Sequence, residues 1–270
     1  MKASFGRARI PLLPLEDEYT NTRSMFKRLH IIGCLLLLMA GRMSAQEYNG
    51  LTGLLQVPSA ETDSVGAFRA SAMFLHRDFL PAQMPRKNTF GYDFGITPFR
   101  WLELSYGATL LWMHKNGLKN ERLGFYNEDR KMCVKLTPLY EGRWWPAIAV
   151  GMDDIGRFDR IKDGSNGNNY FQNLYVVGSK HFSIRGYELG AHLAYRYYVS
   201  NTNRERRGVA GGFTLRPAFF RPLRFVAEWD GVGVNAGADV LLWRHLFVQA
   251  ALVHGRGFSG GVSYHYVISH

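Results

Sequence analysis

Hydrophobic and polar residues alternate along most of the chain after residue 65. Between residues 101 and 113 one face is apolar, with Leu102, Leu104, Tyr106, Ala108, Leu110 and Trp112. The opposite face carries Glu103, Ser105, Gly107 and Thr109. The stretches 187–199, 223–230 and 262–268 repeat this period of two. Because successive side chains of a strand point to opposite faces, the pattern predicts β-strands.

The alternation predicts about twelve strands. We place them at residues 66–77, 88–96, 101–113, 129–137, 145–153, 170–180, 187–199, 207–217, 223–230, 233–242, 246–255 and 259–268. Many have 8–13 residues, whereas strands of soluble proteins average about 5–6 residues and tilted membrane strands need about 9–11. Aromatic residues near the ends of the apolar faces, such as Trp112, Tyr187, Tyr197 and Trp229, match the interfacial girdles of membrane barrels.

The predicted connections alternate between short turns and longer loops. Short turns follow every second strand, whereas the polar stretches 114–128 and 154–169 follow the third and fifth strands. The later loops near Gly231 and Gly255 are short again. Short turns on one rim and longer loops on the other are typical of outer-membrane barrels. The sequence therefore predicts an all-β fold, a transmembrane antiparallel up-and-down barrel of about 12 strands.

A secreted β-sandwich or a lipocalin-like soluble barrel shows the same alternation, with its apolar faces turned inward. The polar faces here are rich in Gly, Ala, Ser and Asn with isolated charges, unlike the dense Lys/Glu mixture of a soluble surface. Aromatic residues make up 14% of the chain, yet its mean hydropathy is only −0.18. Helical membrane proteins need several apolar runs of about 20 residues. These features favour the membrane barrel.

The N-terminal region has the order of a secretory signal peptide. A basic stretch at residues 25–28 precedes an apolar run at 29–40, and the small residue Ala45 follows. We expect residues 1–24 to be an upstream extension and residues 25–45 a signal peptide cleaved near Ala45. A lipoprotein-type site at Cys34 is less favoured because most of the apolar run follows that residue. Export would place the barrel in the outer membrane of a Gram-negative bacterium.

Processing also changes the charge of the chain. Removing residues 1–45 removes seven Lys/Arg and three Asp/Glu, which lowers the net charge from +11 to +7. Export separates the protein from nucleic acid, so we expect outer-membrane lipid and an anionic polymer as partners, and no nucleic acid. Cys133 is then the one cysteine left, which excludes a disulfide framework.

Residues 46–65 carry Gly50, Gly53 and Pro58 and predict an irregular segment before the barrel of residues 66–270. This segment either plugs the lumen or periplasmic mouth, or is a simple tether. If the apolar faces contact lipid, polar side chains line the lumen: Glu103, Lys135, Lys180, Glu188, His192, Arg196, Tyr198, Arg224, Glu228, Asp230 and Asp239. They form either an internal salt-bridge lattice or a polar path for a sugar chain, in which Tyr198 stacks on sugar rings.

The sequence offers no catalytic, cofactor-binding or metal-binding motif. Ser105 and His192 both fall on polar faces, but on nonadjacent predicted strands. The nine histidines lack a metal-binding spacing such as H-E-x-x-H, and neither a nucleophile elbow nor a Gly-rich phosphate loop appears. We therefore predict a protein that is not an enzyme and that needs neither cofactor nor metal.

Four segments, at residues 50–61, 146–154, 175–180 and 227–237, resemble the YjbH-like (also written YbjH) outer-membrane proteins of exopolysaccharide biosynthesis in order and spacing. The motif positions are Gly53, Pro58, Ser59, Gly151, Asp153, Lys180, Glu228, Asn235 and Gly237. The resemblance implies an outer-membrane barrel in export or assembly of an extracellular polysaccharide, with periplasmic export components as partners. This chain is short for the family. The alternatives are a passive porin or structural barrel and an outer-membrane hydrolase acting on lipid or polysaccharide.

Overall fold

The computed structural model describes residues 46–82, 84, 87–155, 170–199 and 201–268. The upstream extension, the signal peptide and its cleavage site near Ala45 lie outside these residues. Within them, each strand pairs antiparallel with its neighbours in sequence, and the first strand pairs with the last to close a barrel. Register is continuous around that closure, from Ala67 opposite Val267 to Phe74 opposite Gly260.

The barrel confirms the predicted all-β fold and the number of strands. In the described part of the chain the strands are β1 (Ala67–Leu75), β2 (Thr89–Phe99), β3 (Leu102–His114), β4 (Leu123–Leu139), β5 (Ala147–Asp153), β6 (Asn173–Ile184), β7 (Tyr187–Tyr198), β8 (Gly208–Arg216), β9 (Leu223–Trp229), β10 (Val234–Leu242), β11 (Leu246–Val253) and β12 (Gly257–Val267). Short 3₁₀ helices lie at Arg77–Phe79, Lys115–Gly117 and Asn201–Arg206. None of the helices described is long and apolar enough to cross a membrane.

The barrel is polar inside and apolar outside. Large apolar side chains such as Phe94, Leu193 and Phe213 are exposed on its outer wall. Charged side chains such as Glu103, Lys135 and Arg224 are almost completely buried in its interior. A soluble barrel has the opposite arrangement, because its apolar faces pack together in the core. This inverted distribution is that of an outer-membrane barrel whose outer wall contacts lipid.

Exposed aromatic side chains gather at both ends of the outer wall. Trp101, Trp145, Tyr187, Phe219 and Trp243 lie at one end, beside the short turns. At the other end, near the longer loops, are Phe90, Phe125, Tyr197, Trp229 and Phe258. We call the two ends the short-turn end and the long-loop end. Aromatic rings at these two levels match the positions of the two membrane interfaces.

The largest departure from the predicted elements is β4. It begins at Leu123, whereas the sequence predicted a strand from 129 and a loop over 114–128. The six residues before 129 continue the hairpin with β3, because His114 pairs with Leu123 across a register shift next to Trp112. Backbone pairing in an exposed ribbon does not require alternating apolar side chains, so the pattern did not reveal it. The predicted loop over 154–169 lies mostly outside the described residues.

Candidate functional site

Residues 46–63 lie inside the barrel, and we call residues 46–65 the N-terminal segment. The segment is a compact double turn, with bridges between Gln46 and Thr52 and between Gly53 and Pro58. Its apolar residues Leu51, Leu54, Leu55 and Val57 are buried. The segment leaves the interior at the short-turn end, where it continues into β1.

Glu228 of β9 binds three successive backbone N–H groups of the segment. Its carboxylate accepts hydrogen bonds from the nitrogens of Leu55 (3.0 Å), Gln56 (2.9 Å) and Val57 (3.1 Å). Asn235 on β10 donates its side-chain N–H to the same carboxylate at 2.9 Å. Hydrogen bonds that involve a charged group are about twice as strong as neutral ones. Glu228 therefore fixes the innermost turn of the segment to the wall.

Glu103 of β3 binds the segment closer to the short-turn end. Its carboxylate accepts hydrogen bonds from the nitrogens of Thr52 (3.2 Å) and Asp63 (2.8 Å). It also forms a buried ion pair with Lys135 of β4 at 2.7 Å, and the Arg69 guanidinium lies 3.7 Å away. The Lys135 ammonium in turn donates to the Thr52 carbonyl oxygen at 2.9 Å. Wall and segment thus share one network of charges.

Three arginines supply further contacts between wall and segment. Arg224 pairs with Asp239 at 2.8 Å and donates to the Gly53 carbonyl oxygen at 3.1 Å. Arg196 donates to the carbonyl oxygens of Gln56 and Asp230. Arg206 pairs with Asp230 at 2.9 Å and also donates to the side-chain oxygen of Gln56 in the segment. These contacts leave the segment hydrogen-bonded on several sides.

Asp230 lies at the long-loop end of the interior, just after β9. Burial alone would raise the pKa of its carboxyl group. The Arg206 guanidinium and the N–H groups of Val232 and Gly233 outweigh that effect and hold this pKa below its ordinary value. Asp230 is therefore a carboxylate at neutral pH, and it holds Arg206 against the mouth of the barrel.

Lys131 on β4 binds the segment at Asn49. Its ammonium donates to the side-chain oxygen of Asn49 at 2.7 Å. It also lies 4.4 Å from the ring centre of Tyr48 and 4.3 Å from that of Phe171. Two aromatic faces at these distances stabilise a cation that burial has removed from water.

Replacing Asp154 by Asn is expected to make the barrel less sensitive to rising pH. Asp154 is completely buried, and neither carboxylate oxygen has a hydrogen-bond partner among the described residues. Burial raises the pKa of this carboxyl to about 7. The positive charge of Lys131 lowers this pKa, and the negative charge of Asp153 raises it further. A raised pKa means that ionisation destabilises the folded state as the pH rises from about 4 to about 7.

The advantage of Asp154→Asn over the wild type should therefore be larger at pH 8 than at pH 5, by up to about 3 kcal/mol in the free energy of unfolding. The backbone suits the change, because Asp154 has a φ of 58°, which Asn tolerates. Glu121→Gln in an exposed loop is the control and should show no such difference. Equal advantages of Asp154→Asn at both pH values in denaturant titrations would contradict this assignment.

Nine side chains of the predicted polar path are buried in the interior or at its long-loop rim. They are Glu103, Lys135, His192, Arg196, Tyr198, Arg224, Glu228, Asp230 and Asp239. In this structure most of them bind the N-terminal segment or one another. The Tyr198 ring, for example, lies 5.7 Å from the Arg196 guanidinium. Two ion pairs join members of this set, Glu103 with Lys135 and Arg224 with Asp239.

Two residues of the predicted polar path are not buried in the lumen: Lys180 points outward, and Glu188 lies at the rim. Ser179 points inward, since its hydroxyl accepts the Ala60 N–H at 2.9 Å, so Lys180 points outward. The Lys180 ammonium binds Glu141 at 3.1 Å in the turn between β4 and β5. Glu188 keeps the inward parity but lies half-buried at the rim, 3.5 Å from Arg216. The prediction that Lys180 lines the lumen is therefore corrected.

Several of the family-motif positions meet around the N-terminal segment. Asp153 accepts a hydrogen bond from the Asn49 side chain at 3.1 Å. A Cβ on Gly237 would lie 3.2 Å from the Leu55 side chain and 2.6 Å from a backbone oxygen of β11. A Cβ on Gly53 would lie 2.9 Å from Glu47. Gly237 thus allows segment and wall to approach closely, and Gly53 allows the segment to fold tightly on itself.

The sequence did not indicate a cluster of Glu61, His181 and His192 at the short-turn end. One ligand atom of each residue lies within 4.8 Å of the others. The turn at Arg185 and Gly186 places His181 opposite Gly190 and His192 opposite Ser179, so the two imidazoles are diagonal neighbours. If the β6–β7 hairpin register had been counted outward from this turn, the sequence could have predicted that the two histidines are neighbours. Glu61 could not have been added without knowing the path of the segment.

Among solved structures, the chain is similar to two outer-membrane phospholipases. The Salmonella typhi outer membrane phospholipase (OMPLA) dimer with bound calcium is 10% identical, with a TM-score of 0.34 over 76% of this chain and 91% of that chain. The Escherichia coli outer membrane phospholipase A is 11% identical, with a TM-score of 0.31 over 76% and 97%. Similarity at this level concerns the fold alone. Among curated proteins, none matches the chain.

A family model covers most of the described barrel and the whole N-terminal segment. The model of the YjbH family, described as exopolysaccharide biosynthesis protein YbjH, matches residues 45–221. The match includes Glu103, Lys135 and the Glu61 cluster, whereas Glu228 and Asn235 lie beyond its end. It covers well over half of the chain, and the first three resembling segments lie inside it. The chain therefore belongs to the YjbH family of exopolysaccharide biosynthesis proteins.

Proposed function

We propose that this barrel acts in export or assembly of an extracellular polysaccharide, and that the N-terminal segment keeps its lumen closed at rest. The family links the chain to exopolysaccharide biosynthesis. The observation that carries the finer proposal is the binding of a separate segment inside a polar barrel through Glu103 and Glu228. A permanent core would more commonly be apolar, because burying charges is costly unless each is paired.

The polar wall behind the segment is suited to a sugar chain. If the segment moved aside, Lys131, Lys135, Arg196 and Arg224 would face the freed space. Their ammonium and guanidinium groups bind carboxylate and sulfate groups, which favours an acidic polysaccharide. The carboxylates Glu103 and Glu228 would accept hydrogen bonds from sugar hydroxyls.

A passive porin is the less favoured alternative. The segment fills the middle of the lumen, and the cavity beside Gln46, Ser71 and Gln249 holds about 20 Å³. That volume is roughly what one water molecule needs. A barrel occupied in this way suits a gated or scaffolding role better than free diffusion of small solutes.

We also propose a role without catalysis. The Ser179 hydroxyl lies 2.8 Å from the Nδ1 of His192, which is the distance of a nucleophile and its base. The same hydroxyl accepts the Ala60 N–H, however, and the other nitrogen of His192 faces Thr214 at 3.3 Å instead of a carboxylate. Ser105 donates its hydroxyl to the Asn49 carbonyl oxygen. Hydrolysis of lipid or polysaccharide that Ser105→Ala or Ser179→Ala abolished would support the enzyme alternative.

The proposed setting is the outer membrane of a Gram-negative bacterium, reached after cleavage near Ala45. The apolar outer wall contacts lipid, and the short-turn end would face the periplasm, as in other outer-membrane barrels. Periplasmic export components would therefore meet the end at which the segment enters the lumen. This arrangement allows such a partner to pull on the segment directly.

Deletion of the gene is expected to deplete cell-surface polysaccharide and to leave polymer in the periplasm. The reason is that a polymer chain cannot cross the outer membrane without a polar path. Polysaccharide in surface and periplasmic fractions is the measurement, and a plasmid-borne wild-type copy should restore the surface fraction. Surface polymer that stays unchanged in the deletion strain would overturn the proposed function.

A further inference from the structure

Glu61, His181 and His192 converge at the short-turn end from three parts of the chain. The Glu61 carboxylate, from the N-terminal segment, lies 3.2 Å from the Nε2 of His181 on β6. The His192 ring on β7 lies 5.4 Å from the His181 ring, centre to centre, with the planes at 74°. One ligand atom of each lies within 4.8 Å of the other two. Two imidazoles and a carboxylate are a ligand set of open zinc sites.

Each of the three side chains is held by a second group on the atom that faces away. The Nδ1 of His181 lies 2.7 Å from Glu141, the Nδ1 of His192 lies 2.8 Å from the Ser179 hydroxyl, and Ser59 donates to the second oxygen of Glu61 at 3.1 Å. Metal-bound histidines almost always donate their other N–H to such a partner. The two Nε2 atoms and the Oε1 of Glu61 remain as ligand atoms.

Gly190 makes room for the convergence. A Cβ at this position would lie 2.8 Å from the Nε2 of His192 and 3.0 Å from the Cδ2 of His181. It would also lie 2.3 Å from the Thr214 hydroxyl. The space that a methyl group would occupy is thus the point on which both imidazoles and a hydroxyl converge. Glu61 and His181 are only half-buried, so an ion can enter from the short-turn end.

We propose that Glu61, His181 and His192 form a binding site for a divalent transition metal, with Zn²⁺ as the best match. Imidazole nitrogens and a carboxylate oxygen suit Zn²⁺, whereas Ca²⁺ and Mg²⁺ prefer oxygen ligands only. Coordination requires a bare Nε2 on each imidazole, so any proton carried there is released to solvent on binding. A water molecule completes four ligands and can hydrogen-bond to Thr214.

The metal would connect the N-terminal segment to the barrel wall. Glu61 belongs to the segment, whereas His181 and His192 belong to neighbouring strands. A bound ion therefore stabilises the position of the segment at the short-turn end, and its removal loosens that end. This inference does not depend on which polymer, if any, the barrel carries.

Zinc binding by the purified full-length protein in detergent tests the site. After removal of metal with EDTA, equilibrium dialysis against ZnCl₂ should give one tightly bound ion per chain. Glu61→Gln, His181→Gln and His192→Gln should each lower the affinity on the order of a hundredfold, and Glu141→Gln by about 10- to 100-fold. His114→Gln, at the opposite end of the barrel, is the matched control and should bind as the wild type does.

Co²⁺ in place of Zn²⁺ provides an independent readout, since four-coordinate cobalt gives intense visible absorption that these variants should lose. Heat-dependent migration in gels identifies folded barrels. If a histidine variant does not fold, the Glu61→Gln variant alone tests the site, because Glu61 lies outside the strands. Absence of zinc binding by the wild type, or wild-type affinity in folded Glu61→Gln and His192→Gln, would overturn the site.

Discussion

Deleting residues 47–61 is expected to convert the filled barrel into a conducting pore. The deletion removes the residues that bind Glu228, together with Thr52, which binds Glu103, and it leaves all strands and turns of the described barrel in place. Barrels of about eight strands are filled by their own side chains, so a twelve-stranded barrel without its segment leaves space for water. Single-channel conductance in planar bilayers should rise on the order of tenfold or more over the wild type.

The control for this experiment is a variant with a shortened loop at residues 115–122, which lies outside the lumen. It should keep the low conductance of the wild type. Both variants must show the heat-dependent gel migration of folded barrels before conductance is compared. A folded deletion variant with wild-type conductance would mean that the segment does not close the lumen.

Replacing Glu103 by Ala is expected to cause the largest loss of stability among single substitutions in the interior. The change leaves Lys135 buried without the carboxylate that lies 2.7 Å from its ammonium. Arg69 also loses this carboxylate, which lies 3.7 Å from its guanidinium. It also leaves the N–H groups of Thr52 and Asp63 without an acceptor. Breaking a buried ion pair from one side typically costs about 3–5 kcal/mol. Denaturant titration of the barrel in detergent measures this loss.

Two variants determine the origin of that loss. Glu188→Ala breaks a partly exposed pair with a longer separation, 3.5 Å from Arg216 at the rim, and should cost about 1 kcal/mol. The double variant Glu103→Leu with Lys135→Met replaces the buried pair by apolar groups and should recover much of the stability. If Glu103→Ala cost no more than Glu188→Ala, the interior network would contribute little to folding.

The sequence predicted the barrel well because one physical rule applies to every strand. Alternation shows each strand, and the membrane assignment, which rests on the composition of the polar faces, then sets its orientation, because a membrane wall has apolar side chains outside and polar ones inside. The interior positions of Glu103, Arg224 and Glu228 follow directly from their places in this alternation. The prediction for Lys180 was wrong. The pairing of Ser179 with His192 turns Ser179 inward and Lys180 outward, and the hydrophobic pattern near the rim does not fix that pairing.

The sequence could not predict the contacts between the N-terminal segment and the barrel wall. Glu228 binds Leu55 and Val57 over more than 170 positions in the chain. The segment has no periodic pattern, since its shape depends on Gly53, Pro58 and the acceptors supplied by the wall. Only the folded barrel brings Glu61 to His181 and His192. Sequence patterns report local periodicity, whereas these contacts depend on where an irregular segment comes to lie.

Hydrogen exchange of its backbone amides shows whether the N-terminal segment lies bound inside the barrel. The N–H groups of Leu55, Gln56 and Val57 are bonded to Glu228 and buried. In the full-length protein in lipid nanodiscs, peptides covering residues 46–65 should exchange as slowly as those of β3 and β9. Exchange as fast as that of the exposed loop at residues 115–122 would contradict the account.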